Sequence, residues 1–479
     1  MLHIECNFDF SLVCIYRIMA TKIVTTNKDP EFRSEMDLLD FMYKFFHLTF
    51  IAPMLKTTDN SWKKRLYNLV RQILLITYFP SFLGIVLGLY KFWGDMKTVT
   101  NMFVTGVPLI MGFCAGLYFY WYWKEIRDFM ESIERESNFI NPFVHSKTKL
   151  LQIVEDTKRK CKFITQFIAI FQFFAFVAFF IKPFILDFSE ESELKIAEEE
   201  YRNEQWKRLI YIMWLPIDIT SPEMYYYTYA YQLITSLALY CHTATTITFI
   251  FVSSRYAAAQ FTIVCEALND VSILNIFSVC RYEMNTGGRD LLNSQSMPEE
   301  LHPNLRKSMD SCVNGLADKE IKSNEVHIYI RECIQIHQSA IRYAMKLNNL
   351  LSPVFVMYLS LLTIGLIMGT IQLAVVDELD QKFPYFGSVS VTLTDLFAFC
   401  WHGQILINES LSVEQAAYNM LWYNHCSSVK QLVRFIIFRA QKMTELKRSG
   451  FLNLSIRTFS AVLNFSYKWF TILLEMHDD

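Results

Sequence analysis

The chain has 479 residues, of which 52% are hydrophobic and only 19% charged, so disorder is excluded over most of its length. Its 45 Lys and Arg against 47 Asp and Glu leave a formal charge of −2, without the basic surplus that a nucleic-acid binder carries. The placement of those charges is more informative than their balance, because long stretches of the chain have none.

In chain order, Met1 to Phe10 has no Lys or Arg and the apolar run after it is short, so no cleavable signal peptide is expected. Gln72 to Tyr90, Thr98 to Trp123, Phe163 to Ile181, Met224 to Ser254 and Leu347 to Val376 then contain no Asp, Glu, Lys or Arg. A sixth stretch, Phe383 to Asn408, is interrupted only by Asp395, and a seventh, Leu452 to Leu474, contains Arg457 and Lys468. A helix needs roughly 20 mostly apolar residues to cross a bilayer, and each stretch supplies that length. Soluble helices keep a wet face, so this many uncharged runs predicts an all-α membrane protein with seven transmembrane helices. Gly84/Gly88, Gly112/Gly116 and Gly365/Gly369 have the small-xxx-small spacing that lets helix backbones approach closely in lipid. Pro80, Pro108 and Pro353 mark helix kinks or starts.

The segments between spans alternate in Lys and Arg content. Residues 1–66, 124–162, 255–346 and 409–456 carry 9, 9, 10 and 6, whereas 91–97, 182–224, 377–384 and the tail after Leu474 carry 2, 5, 1 and none. The partition is 34 against 8, and the positive-inside rule places the N-terminus in the cytoplasm and the C-terminus outside. The 92-residue segment 255–346 is too long to weigh heavily, but without it the ratio is still 24 to 8. This topology is the reverse of a G-protein-coupled receptor. All 11 cysteines fall in spans or cytoplasmic segments, so no extracellular disulfide is expected. The sequons at Asn408, Asn453 and Asn464 sit in or beside spans 6 and 7 and are expected to be unused. Without CxxC, HExxH, Walker or GxGxxG motifs, no metal or cofactor is expected. His242, Asp395 and His402 are too scattered for a membrane-embedded enzyme.

The C-terminal third carries the runs SLSVEQAAYNMLWY (Ser410 to Tyr423), VRFIIFRAQKMTEL (Val433 to Leu446) and SIRTFSAVLNFSYKWFTILLEM (Ser455 to Met476). With LPIDITSPEMYYYTYAYQ (Leu215 to Gln232) and the inverted topology, the sequence resembles the insect odorant receptor family. Met443 stands where the family usually has Pro, and Lys468 breaks its usual aromatic-Ser-aromatic run. The resemblance implies a tuning receptor, a subunit of a ligand-gated, non-selective cation channel in the plasma membrane of a sensory neuron dendrite. Its implied partners are an odorant co-receptor subunit in a heterotetramer, a small volatile organic ligand, membrane lipid and permeating cations. A gustatory receptor channel subunit shares the topology and is the alternative, with a secondary transporter behind it because no internal repeat is found.

On this reading residues 1–66 form a cytoplasmic segment, and 67–254 hold spans 1 to 4 with a pocket in the outer half. Residues 255–346 form cytoplasmic helical extensions (Arg255 to Cys280 and Val326 to Lys346) around a flexible polar loop (Tyr282 to Asn324). Residues 347–408 hold spans 5 and 6, 409–451 a cytoplasmic anchor helix, and 452–479 the pore helix and extracellular tail. The implied pocket lies between spans 2, 3, 4 and 6. Helical faces then nominate Phe103 and Val107, the stripe Phe173, Phe176 and Phe180, the face Tyr226, Tyr229 and Leu233, and Tyr385, Ser388 and Thr392. In span 7, Ile472 is the implied gate, sharing a face with Met476, Lys468 and Phe465, and Glu475 is placed at the outer mouth beside Asp478 and Asp479. Glu190, Glu191, Glu193 and Glu198 to Glu200 are expected at the same mouth. Asp395, a carboxylate at membrane depth, is either functional or hydrogen-bonded to another helix.

Overall fold

A computed structural model of the protein describes residues 42–53, 61–137, 147–191, 209–214, 221–285, 323–376, 379–420, 422–424, 427–448 and 452–478. The acidic stretch containing Glu193 and Glu198 to Glu200, most of the polar loop before Asn324, and Asp479 lie outside them.

Ten helices of 14 residues or more organise the described residues. They are α1 (Ser61–Ile76), α2 (Tyr78–Lys91), α3 (Met96–Trp121), α4 (Trp123–Ser137), α5 (Lys147–Glu191), α6 (Pro222–Asn285), α7 (Ser323–Val375), α8 (Leu379–Asn419), α9 (Ser427–Ala440) and α10 (Ile456–Asp478). A short antiparallel hairpin of β1 (Lys447–Arg448) and β2 (Leu452–Asn453) precedes α10. Five helical stretches are long and apolar enough to cross a membrane: Trp62–Lys91, Met96–Trp121, Glu223–Val271, Val326–Val375 and Lys382–Asn419. The apolar parts of α5 and α10 are the other two expected spans, and α10 is diluted by Arg457, Lys468 and several Ser, Thr and Asn residues.

Local chemistry sets the breaks. Pro80 has no N–H for the carbonyl of Ile76, so the first span divides at Thr77, whose own carbonyl accepts the Tyr231 hydroxyl. The connection to α3 turns at Gly94, whose φ of 117° suits only glycine, and Asp95 then caps α3 by accepting from the Thr98 N–H at 3.2 Å.

With 64 residues, α6 is roughly 96 Å long at 1.5 Å per residue, about three times the hydrocarbon thickness of a bilayer. The 53-residue α7 and 41-residue α8 also outrun the membrane, so the three continue together beyond it. α6 is the central helix, packed against α3, α5, α7 and α8. Two of its buried threonines turn back onto the helix: the Thr245 and Thr246 hydroxyls donate to the carbonyls of Cys241 and His242 at 2.7 and 2.9 Å, and the Thr245 hydroxyl also reaches Thr49 Oγ1 at 2.8 Å. One continuous core runs from Phe119 and Phe249 through Phe261, Tyr343 and Phe355 to Val413 and Ile436.

Within residues 409–451, expected as one anchor helix, the described residues are instead the end of α8, the one-turn helix Trp422–Asn424, α9 and the first strand. The apolar stripe explains the fold-back: Val429, Val433, Ile436 and Ala440 are buried as α9 returns along α8 and α7.

Candidate functional site

α3, α5, α6, α7 and α8 line a partly open cavity of about 180 Å³. Its wall is mostly apolar, with Leu109, Met111, Phe176, Leu239 and Val391 among its residues. Pro108 also faces it, and the missing proline N–H leaves the Val104 carbonyl without its usual helical partner. Three hydroxyls on the wall are turned back onto their own helices: Thr105, Thr243 and Thr392 donate to the carbonyls of Asn101, Leu239 and Ser388 at 3.0, 2.9 and 2.9 Å. Tyr240 donates to the carbonyl of Ala169 on α5 at 3.0 Å.

The connecting segment 209–214 closes one side and brings Ile210 and Tyr211 to the cavity. It is pinned as a strand would be. The Gln232 side chain accepts from the Tyr211 N–H at 3.3 Å and donates to the Tyr211 carbonyl at 2.9 Å, while the Trp214 N–H donates to the Gly84 carbonyl at 2.9 Å. The Tyr211 and Ser81 hydroxyls are 2.7 Å apart.

Of the residues nominated from helical faces, Phe176, Phe180, Ser388 and Thr392 line the cavity. The others surround it at varying distance. Tyr229 donates its hydroxyl to the Phe180 carbonyl at 3.1 Å, and Leu233 packs with Tyr78, Leu109 and Tyr211. Phe173 is half-exposed with its ring against Tyr240, and Tyr385 is buried with Val104 and Val376. Val107 is in the main core, Phe103 is half-buried, and Tyr226 is 68% exposed. On α6 the nominated face is the one that reaches the cavity, but further along: Tyr229 and Leu233 continue at helical spacing into Ser236, Tyr240 and Thr243. On α3 the face is rotated by one residue, from Phe103 and Val107 to Val104 and Pro108.

Sequence reasoning did not place Gln172, Leu362 or the 209–214 segment at a site, and it left Asp395 without a partner. Gln172 on α5 supplies one: its Nε2 donates to the Asp395 carboxylate oxygens at 3.3 and 3.1 Å, and both residues line the cavity.

The second feature is α10, which packs against α7 and α8. The approach is set by the turn before it. The Thr444 N–H donates to Ser410 Oγ at 3.0 Å, the Lys447 N–H to Asn348 Oδ1 at 2.7 Å, and the Ile456 N–H to Gln404 Oε1 at 3.3 Å. Glu445 holds both strands, with Lys447 Nζ at 2.6 Å and Asn453 Nδ2 at 3.1 Å. Partial burial pushes its carboxyl pKa up, but these hydrogen bonds and the Lys447 charge outweigh burial and hold it below the usual glutamate value. Ser455 then caps α10 by accepting from the Thr458 N–H at 3.3 Å. Along the outer face Phe465, Lys468, Ile472 and Glu475 are exposed, and Met476 continues the helix beyond them.

The profile of the family described as "7tm Odorant receptor" matches residues 95–467. The chain is 26% identical to odorant receptor 10 of Aedes albopictus over 176 residues, 36% of this chain and 46% of that protein. It is 26% identical to odorant receptor Or2 of Anopheles gambiae over 151 residues, 31% of this chain and 39% of that protein. It is also 26% identical to the odorant receptor coreceptor of Anopheles gambiae over 164 residues, 34% of each. The matched stretches thus span less than half the length of these curated relatives. The solved structure of the olfactory receptor OR5 of Machilis hrabei in complex with eugenol has the same fold, with a TM-score of 0.68 at 11% identity, over 93% of this chain and all of that one. A second structure of that receptor gives 0.69 at the same identity and coverage. The chain is an all-helical, multi-pass membrane protein, and it belongs to the insect odorant receptor family.

Proposed function

We propose that the chain is a tuning odorant receptor: it binds a small volatile in the cavity and opens a non-selective cation channel, as one subunit of a heterotetramer with the odorant co-receptor in the plasma membrane. The cavity carries this reading. It is apolar, small and bounded by five helices, and with a cytoplasmic N-terminus it lies toward the outer half of the membrane. A volume of about 180 Å³ is on the scale of an engineered cavity of about 150 Å³ that accepts benzene. Burial of about 150 Å² of ligand would contribute roughly 4 kcal/mol at 25 cal/mol per Å², which points to weak, readily reversible binding. Phe176 and Phe180 supply apolar contact, and the polar groups orient the ligand.

Transmission follows from shared helices. α7 and α8 wall the cavity and also hold α10, so a ligand that favours one arrangement of α8 biases the position of α10. The exposed face of α10 lines the pore, with Ile472 as the apolar constriction, Phe465 and Met476 on the same side, and Glu475 attracting cations at the outer mouth. Lys468 is diluted in a heteromer by the other subunits. α9 presents Phe435 and Phe438, 70% and 77% exposed, to neighbouring subunits.

Similarity to the co-receptor of Anopheles gambiae supports a second reading, in which this chain is itself the shared subunit. Current recording separates them. Expression with the odorant co-receptor should yield odorant-evoked current, and expression alone should yield none. Current from the chain alone would favour the shared-subunit reading.

A further inference from the structure

Two polar side chains stand at one end of the apolar cavity. Asp395 and Gln172 are 5% and 8% exposed, and the Gln172 Nε2 group, split between the two carboxylate oxygens, is the hydrogen bond they share. A carboxyl group, charged or neutral, offers more acceptor sites than one amide group fills, so part of its capacity is unused. Gln172 Oε1, also buried, has no partner. The Thr105, Thr243, Thr392 and Tyr240 hydroxyls donate to helix carbonyls, the Tyr211 hydroxyl meets Ser81 Oγ, and Ser236 and Ser388 carry the other hydroxyls on the wall. Among the described residues, no Lys, Arg or His lines the cavity. Within the Asp395–Gln172 pair the acceptors therefore outnumber the donors, in surroundings where an unmet acceptor is unfavourable.

We propose that Asp395 and Gln172 select ligands carrying a hydrogen-bond donor, an alcohol, phenol or amine, over ethers and hydrocarbons of the same shape. The donor sits at the Asp395 carboxyl and the Gln172 carbonyl, and the hydrocarbon part of the ligand lies against Phe176, Leu239 and Val391. An ether of equal size fills the same space but leaves both acceptors unmet. A site that hydrogen-bonds a ligand hydroxyl rejects the analogue without it, because its own buried groups are left unpaired. This inference rests on the cavity being the odorant site.

The test records current from the full chain expressed with the odorant co-receptor. The probes are small aromatic and aliphatic alcohols and amines, each paired with its methyl ether or N,N-dimethyl counterpart. Alcohols and amines should act at concentrations at least about tenfold lower than their partners. Asp395→Asn, matched for surface expression, should shrink that gap to about threefold or less by replacing an acceptor with an amide that also donates. Equal potency within the pairs, or a gap that survives both Asp395→Asn and Gln172→Leu, would overturn the inference. Ser388→Phe, which fills the cavity, separates this from failure of the underlying reading. If that variant responds like the parent, the cavity is not the odorant site and the donor preference falls with it. If it silences every probe while the pairs remain equal in the parent, only the donor preference is overturned.

Discussion

Gly403 on α8 has no room for a side chain, because a methyl group there would overlap the carbonyl oxygen and Cβ of Leu454. The obstacle is partly backbone and cannot rotate away. Gly403→Ala should therefore destabilise the folded receptor by about 1 to 3 kcal/mol, read as loss of monodisperse protein on heating in detergent. Gly387→Ala on the same helix meets nothing within 4 Å and should be neutral or slightly stabilising. A second residue-scale prediction contrasts two phenylalanines. Phe176→Ala should raise the half-maximal odorant concentration about tenfold or more, since Phe176 lines the cavity. Phe103→Ala should change it by no more than about twofold. Both were legible in the sequence as aromatic residues on apolar helices, but which one reaches the cavity was not. Each residue advances a helix by about 100°, so an error of one position on α3 exchanges Val104 for Phe103. Asp395 was legible as a carboxylate out of place in an apolar span. Its partner was not, because Gln172 is 223 residues away and nothing local marks it.

The joint between α9 and α10 is the element least readable from sequence. Its strands have two residues each, too few for alternation to show, and its order comes from contacts distant in sequence, such as Lys447 N–H to Asn348 and Ile456 N–H to Gln404. Yet this is where the family-like motifs concentrate, and the structure gives the physical reason: the joint aims α10 at α7 and α8. Glu445 holds the hairpin as a carboxylate whose pKa is lowered on folding. Its contribution is complete above the unfolded value of about 4.5 and is lost as pH falls through the lower folded value. Glu445→Gln should accordingly lower the melting temperature of the purified receptor by about 1 to 2 °C at pH 7. The difference from the parent should close as the pH falls below 4.5. A difference that persists unchanged in acid would assign the effect to packing. The long helices were far more legible. Uncharged runs located the spans, and Pro80 marked the division of the first, because both signals act over one or two turns.

At the scale of the whole molecule, long apolar stretches alternate with charged segments that are by turns rich and poor in Lys and Arg, and the helices follow that alternation. α6, α7 and α8 begin or end in the apolar bundle and carry on into a second bundle with α9, which makes one continuous core out of membrane and extramembrane parts. The same three helices wall the cavity, and two of them hold α10, so the cavity and α10 share supports. The central claim is that an odorant in this cavity drives the conductance. It is tested most directly by concentration–response curves of odorant-evoked current for the parent and for Ser236→Phe, each expressed with the co-receptor at matched surface density. Ser236 lines the cavity on α6, away from α10, so the account predicts that filling the space there shifts the curve at least about tenfold to higher concentration or abolishes the response. An unchanged curve would contradict it.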